Sequence, residues 1–210
     1  MSRPSVPILS VDIITDASIS LLETTGTFSI PKLAKSLGVT PSSLYNHVSG
    51  REEIIELMRG KLLERYPMEY DETGGPEDWE GLVLGTVRAL RRTYSAVPAL
   101  VPLLFWQTVS HPAVVASYDH LATRFSEAGF ADDELIPLIS MLDSFAYGAA
   151  LDIKAPSEVW HFSDIPGDKD APPSPLQRAL AANDSTTRAE RSFEFGCQLL
   201  IDGLRQRMAR

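Results

Sequence analysis

Between Thr40 and Arg51 the chain reads TPSSLYNHVSGR, which places Ser42, Ser43, Tyr45, Asn46 and His47 within six residues. Hydroxyl, phenol, amide and imidazole groups at this density can hydrogen-bond phosphate oxygens and base edges, and Lys32 and Arg51 flank them with positive charge. The competing chemistry is proton transfer. His111, His120 and His161 are the groups that could carry it, with Asp119 beside His120. Adjacent residues on a helix point apart, however, and no His-x-x-x-His, Gly-x-Ser-x-Gly, phosphate loop or dinucleotide fingerprint accompanies them. No catalytic residue, metal ligand or cofactor is therefore assigned.

Helices must present the Thr40–Arg51 side chains. From Leu9 to Thr25, Ile14, Ala17, Leu21 and Leu22 recur at helical spacing, and Gly26 supplies a stop. A second helix starts near Ile30, with Ser29 as cap and Pro31 in its first turn, and ends at Gly38. Thr40 caps a third, again with proline, Pro41, in its first turn. After Ser49 and Gly50 a longer helix runs to about Tyr66, its start favoured by Glu52 and Glu53 at the positive end of the helix dipole. Leu33, Ala34, Leu37, Val39, Leu44 and Val48 face inward in this scheme, which has the proportions of a helix-turn-helix. Gly38 sits where the turn needs positive φ. A purely structural helical hairpin, with Tyr45 in its core, satisfies the same apolar spacing.

Charge divides the chain in the same way. Net charge is -9, yet residues 1–66 hold seven basic and seven acidic side chains, so the whole excess of acid lies beyond them. A neutral segment can approach a polyanion where an acidic one is repelled. The single cysteine, Cys197, excludes an intrachain disulfide and a multi-cysteine zinc cage, and its neighbours Phe193, Phe195, Leu199 and Leu200 suggest a buried packing role. The N-terminus lacks a basic region leading into an apolar run, and the longest apolar run, Ala99–Trp106, is too short to span a bilayer. A cytoplasmic protein without membrane association is the expectation.

Beyond a loop over Pro67–Pro76, helical patterns occupy Leu82–Val97, Ala99–Val109 with a break near Pro102, Ala113–Ala128, Leu135–Leu151 and Thr187–Met208. A long loop follows Asp152 as far as Pro175. The predicted fold class is all-α, with residues 1–50 as a helix-turn-helix domain, 51–66 as a connecting helix and 67–210 as a larger helical domain. Ala146, Gly148, Ala149, Ala150, Gly196 and Gly203 would let helices 135–151 and 187–208 approach closely, within one chain or across a two-fold axis.

The extended string KLAKSLGVTPSSLYNHVSGREEI resembles the N-terminal domain of the TetR family of dimeric transcriptional repressors. The likeness rests on Leu33, Ala34, Leu37, Gly38, Val39, Leu44, Tyr45, His47 and Val48, with Arg51 in place of the usual lysine. Gly129 and Phe130, the FAYGAALD run from Phe145 to Asp152 and the closing FEFGCQLLIDGL are similar to the tetracycline-repressor subgroup. The resemblance implies that Thr40, Tyr45, His47 and Arg51 lie against the backbone of double-stranded DNA. It leaves Ser42, Ser43 and Asn46 for base readout, with Lys32 reaching in from the preceding helix. Pro31 and Pro41 stand where that subgroup reads bases, so the operator, expected to be palindromic, should differ. The resemblance also implies a homodimer and an effector cavity at or near Val87, Arg91, Phe105, Trp106, Thr108, Phe145 and Asp152. Phe105, Pro67 and Val87 replace two histidines and an asparagine of the drug site, so the expected effector is a small, largely apolar or aromatic organic molecule rather than a magnesium chelate. Effector binding is expected to tilt the 51–66 helix and release the operator.

Overall fold

The computed structural model describes residues 9–66, 76–156, 158–160, 162 and 172–209. Every extended element among them is helical, as the apolar periodicity requires. α1 (Val11–Thr25) begins where Ser10 accepts the Ile13 N–H at 3.2 Å and ends at Gly26, φ +65°. α2 (Ile30–Ser36) is capped by Ser29. Gly38 then turns the chain at φ +67°, while the Val39 amide bonds back to the Ala34 carbonyl at 3.0 Å.

α3 (Pro41–Leu44) is a single turn, shorter than the pattern suggests. The Leu44 carbonyl is shared by the amides of His47 and Val48, at 2.9 and 3.1 Å, and Val48 is buried in the core. α4 (Arg51–Arg65) follows, with Glu53 reaching back to the Ser49 amide and hydroxyl at 2.5 and 2.7 Å. Those two hydrogen bonds hold the Glu53 carboxyl below its ordinary pKa.

The remaining helices are α5 (Trp79–Ala96), α6 (Val101–Leu104), α7 (Pro112–Glu127), α8 (Asp132–Asp152), α9 (Pro175–Ala182) and α10 (Arg188–Met208). The helix anticipated over 99–109 is broken into a 3₁₀ turn at 98–100 and the one-turn α6. The amides of Ser110 and His111 downstream bond to Glu56 of α4 instead of to helical carbonyls. The loop anticipated over 67–76 lies almost wholly outside the described residues, as do 157, 161 and 163–171 of the loop between 152 and 175.

α5 and α8 form the most extensive helix pair, and α4 packs on α1, α5, α6 and α7. One continuous apolar core therefore runs from Ile14 and Leu33 through Ile55, Met58 and Leu62 to Phe125 and Ile201. Cys197 is buried, and desolvation pushes its thiol up to about 11. Two of its apolar sequence neighbours face the other way. Phe195 and Leu199 are 67% and 57% exposed.

Candidate nucleic-acid interface and effector site

The helix-turn-helix leaves Lys32, Thr40, Ser42, Tyr45, Asn46 and His47 on the surface. Tyr45 is 52% exposed, so it is not a core residue of the hairpin; Leu44 and Val48 on either side fill that place. Ser43 is half-buried, its hydroxyl 2.9 Å from that of Thr40, whose oxygen also accepts the Ser43 amide. Two cations gather around the segment between α1 and α2. Lys32 donates to the Thr27 hydroxyl at 2.6 Å, and the Arg51 guanidinium lies over the Phe28 ring at 5.9 Å. The arrangement presents hydroxyl, amide, imidazole and phenol groups from one short helix and its following turn, with basic side chains tethered at the edge.

The residues expected to meet an effector fall into two groups. After α6, Phe105 and Trp106 are 57% and 87% exposed, Thr108 is exposed, and the edge of Phe105 meets Tyr147 with ring centroids 5.5 Å apart. Val87 is fully buried in α5. The other group surrounds Phe193 of α10. Phe145 stacks on it at 5.4 Å, Arg91 covers its other side at 4.3 Å while pairing with Glu190, and Asp152 pairs with Arg188 at 2.9 Å. Phe145 and Asp152 share a cavity of about 380 Å³ with Phe193. A separate cavity of about 660 Å³, anticipated from no motif, lies between α9 and α10 beside Trp160, Leu180 and Phe195.

Sequence patterns also missed a buried polar cluster on α4. Glu56 Oε1 accepts Arg59 Nε at 2.9 Å, and its Oε2 accepts the amides of Ser110 and His111 at 2.8 and 3.2 Å. The His111 ring lies over Gly60, where an added Cβ would approach it to 2.5 Å. This histidine, weighed above as a proton carrier, thus joins α4 to the start of α7. Asp119 and His120 are exposed on α7, and His161 is outside the described residues.

Beyond Arg59 the cluster continues into the core. Tyr118 donates to Asp143 Oδ2 at 2.7 Å, and the rings of Tyr94 and Tyr147 meet edge to face with centroids 4.9 Å apart. Burial raises all three phenols and pushes the Asp143 carboxyl up to about 6, although the Tyr118 hydrogen bond and the Arg59 charge oppose that rise. Burial opposes the Arg59 charge in turn; Tyr147, Glu56, Tyr94 and Tyr118 outweigh it and raise the guanidinium pKa. The detectable trace in the sequence is charge in phase with apolar residues, Glu56 and Arg59 among Ile55, Met58 and Leu62.

Comparison with known proteins converges on one family. The family described as Tetracyclin repressor-like, C-terminal domain, matches residues 73–208. The HTH-type transcriptional repressor DrrR1 of Streptomyces coeruleorubidus is 24% identical over 217 residues, covering 97% of this chain and 80% of its own. Among solved structures, the Streptomyces coelicolor TetR family protein ActR in complex with actinorhodin superposes with a TM-score of 0.72 at 22% identity, covering 95% of this chain and 97% of ActR. BioQ with its natural double-stranded DNA operator does so at 0.64 and 20%, over 93% and 98%. Those two likenesses establish the shared all-α fold; together with the family match over most of the chain, they identify this protein as a member of the TetR family of DNA-binding transcriptional regulators.

Proposed function

We propose that the chain is a homodimeric repressor that reads a palindromic operator and is released from it by a small organic effector. The observation that carries this reading is the double role of α4. It starts at Arg51 beside the exposed helix-turn-helix surface, and little more than one turn further on its Glu56 grips the Ser110 and His111 amides of the body. A displacement of the α6–α7 connection therefore has a direct polar route to the DNA-reading end. A coupling of about 1 to 3 kcal/mol between the two, usual for allostery, changes operator affinity roughly five- to 150-fold.

In this reading Thr40, Tyr45, His47 and Arg51 hold phosphates, while Ser42, Ser43 and Asn46 read bases with help from Lys32. Residues 1–50 act as the DNA-binding domain, 51–66 as the connector and 67–210 as the effector-binding and dimerisation domain. Phe105, Trp106 and Thr108 belong to the mouth of the effector site, Val87 to its wall, and Arg91, Phe145 and Asp152 to the side facing α10. ActR, crystallised with actinorhodin, and BioQ, crystallised with operator DNA, provide family precedents for both kinds of ligand.

The dimer is supported by uncovered apolar surface. α8 is long and apolar enough to cross a bilayer by length and mean hydropathy, yet only 28% of that stretch is buried within the chain. It exposes Ile136, Met141 and Leu151, and α10 exposes Phe195 and Leu199. A four-helix arrangement with a second copy covers these side chains and sets two reading helices about 34 Å apart, one turn of DNA. The protein acts in the cytoplasm, where its operator is, and performs no catalysis.

Selection of bound duplexes from a random pool by the purified protein, at a stated salt concentration, tests the reading. A palindrome with half-sites about one helical turn apart supports it, and that operator then serves to screen compounds for release. A folded dimer that enriches no sequence overturns it. A protein that enriches a palindrome but ignores every compound is a regulator without small-molecule control.

A further inference from the structure

The turn joining α1 to α2 carries a chain of hydroxyls that ends on a cation. Gly26, at φ +65°, folds the backbone so that the Thr25 and Thr27 hydroxyl oxygens lie 3.2 Å apart. Thr27 Oγ1 is also 2.6 Å from Lys32 Nζ. Thr25 Oγ1 is 2.8 Å from the Leu21 carbonyl, closer than the Thr27 carbonyl at 3.0 Å. The two ends fix the direction, because an ammonium can only donate and a carbonyl can only accept. Lys32 donates to Thr27, Thr27 to Thr25 and Thr25 to Leu21, each bond polarising the next. The chain finishes at the negative end of the α1 dipole. α1 has no basic side chain in its last turn, so Lys32 supplies from α2 the charge that this end favours. The next residue of the turn, Phe28, lies under Arg51 at 5.9 Å. One short turn thus bears on both Lys32 and Arg51, the two cations placed against the operator above.

Resting on the reading of Lys32 as a DNA contact, we infer that Thr27, backed by Thr25, is a positioning residue for that contact. An exposed lysine left to itself must give up rotamer freedom when it meets a phosphate. The Thr27 hydroxyl takes one of the three ammonium donors and leaves two, with the ammonium already held at the edge of the reading surface. The neutrality of the anchor matters. Lys61 on α4 lies 2.8 Å from Asp16 and 3.7 Å from Asp12, which neutralise it within the protein. A hydroxyl holds Lys32 without cancelling the charge that a phosphate is to receive. Thr27 acts through a cation directed at the DNA backbone and not through Ser42, Ser43 or Asn46, so it sets affinity and leaves the preferred sequence unchanged.

The test uses the full-length protein and fluorescence anisotropy over a range of salt concentrations. Two labelled duplexes about three helical turns long serve as probes, one carrying the palindrome enriched by selection and one of mixed sequence. Thr27→Val, which keeps the shape and removes the hydroxyl, should weaken binding to both by about three- to tenfold. Thr27→Ser, which restores the acceptor, should bind within about twofold of the wild type. Lys32→Ala should weaken both complexes and lower the slope of log K against log salt by about one for each copy bound. Once Lys32 is gone, adding Thr27→Val should change affinity by less than about twofold. A loss on Thr27→Val that is equal with and without Lys32 overturns the inference, since a merely structural role behaves that way. Unchanged binding by Thr27→Val overturns it too, and so does tighter binding, which shows a hydroxyl that holds Lys32 back from DNA. Loss for Lys32→Ala alone removes the positioning role and keeps Lys32 as a contact, whereas wild-type affinity in Lys32→Ala removes both. A selection that enriches no palindrome overturns only the operator reading, because the mixed-sequence duplex still reports the phosphate contact.

Discussion

One carboxylate oxygen of Glu56 accepts the backbone N–H of Ser110 at 2.8 Å, across 54 residues of sequence, while the other holds Arg59. Removing this carboxylate strands a buried guanidinium. Glu56→Ala should therefore destabilise the protein by about 3–5 kcal/mol, whereas Glu56→Gln/Arg59→Met should cost markedly less. Urea unfolding of the three proteins checks the ordering, and equal losses in both variants would show that the ion pair is not the origin.

Gly60 is small because His111 occupies the space of its missing side chain. Gly60→Ala forces the ring away and should lower stability by about 1–3 kcal/mol, although alanine is the better helix former. A thermal midpoint at or above the wild-type value would mean that the ring moves freely.

Asp143 supplies a pH dependence. Its carboxyl is pushed up to about 6 from an ordinary 3.8, so the folded state holds a proton that the unfolded chain has released. Stability is consequently lost, not gained, as pH rises through roughly 4 to 6, by no more than about 3 kcal/mol. Asp143→Asn keeps an acceptor for Tyr118 and removes that titration. Its stability relative to wild type should improve between pH 5 and pH 8, as read from urea midpoints at both. A difference that stays constant with pH counts against a buried ionised Asp143.

Tyr45 and Asn46 are both exposed beside α3 but are assigned different duties. Tyr45→Ala should weaken binding about equally on every operator variant, whereas Asn46→Ala should change the preferred base at one position of each half-site, where a mismatch costs about 1–3 kcal/mol. Competition binding against a panel of single-base operator variants distinguishes them, and a uniform loss for Asn46→Ala removes its base-reading role.

Phe195 is two-thirds exposed on α10. Placing a charge there, as Phe195→Asp, should halve the mass seen by sedimentation equilibrium and weaken operator binding by at least about 100-fold, since each half-site is then bound alone. A dimer that persists would move the interface elsewhere.

Local signals made the DNA-reading half legible. Ser29 before Pro31, Thr40 before Pro41, and Gly38 at positive φ each act within a few residues, and Leu33, Ala34, Leu44 and Val48 bury as their spacing requires. α9 carries an equally local mark, Ser174 and Gln177 capping reciprocally around Pro175, in the stretch between the loop expected to end there and the last helix, where periodicity alone marks no element. The polar cluster is different in kind. Periodicity shows which side of a helix is buried but not which distant groups meet there, so Tyr94 and Tyr147 look like core aromatics and Ser110 like loop.

The unbroken core through α4 bears on how such regulators can be recombined. A chimera that joins the first fifty residues of this chain to another relative's body would cut beside a helix whose inner face belongs to both parts. Glu56, Arg59 and Gly60 are fitted to Ser110 and His111, far away in the chain. A transplanted reading head should keep its own α4 and bring the matching segment before α7 with it, so the natural unit of exchange in this protein is discontinuous in sequence.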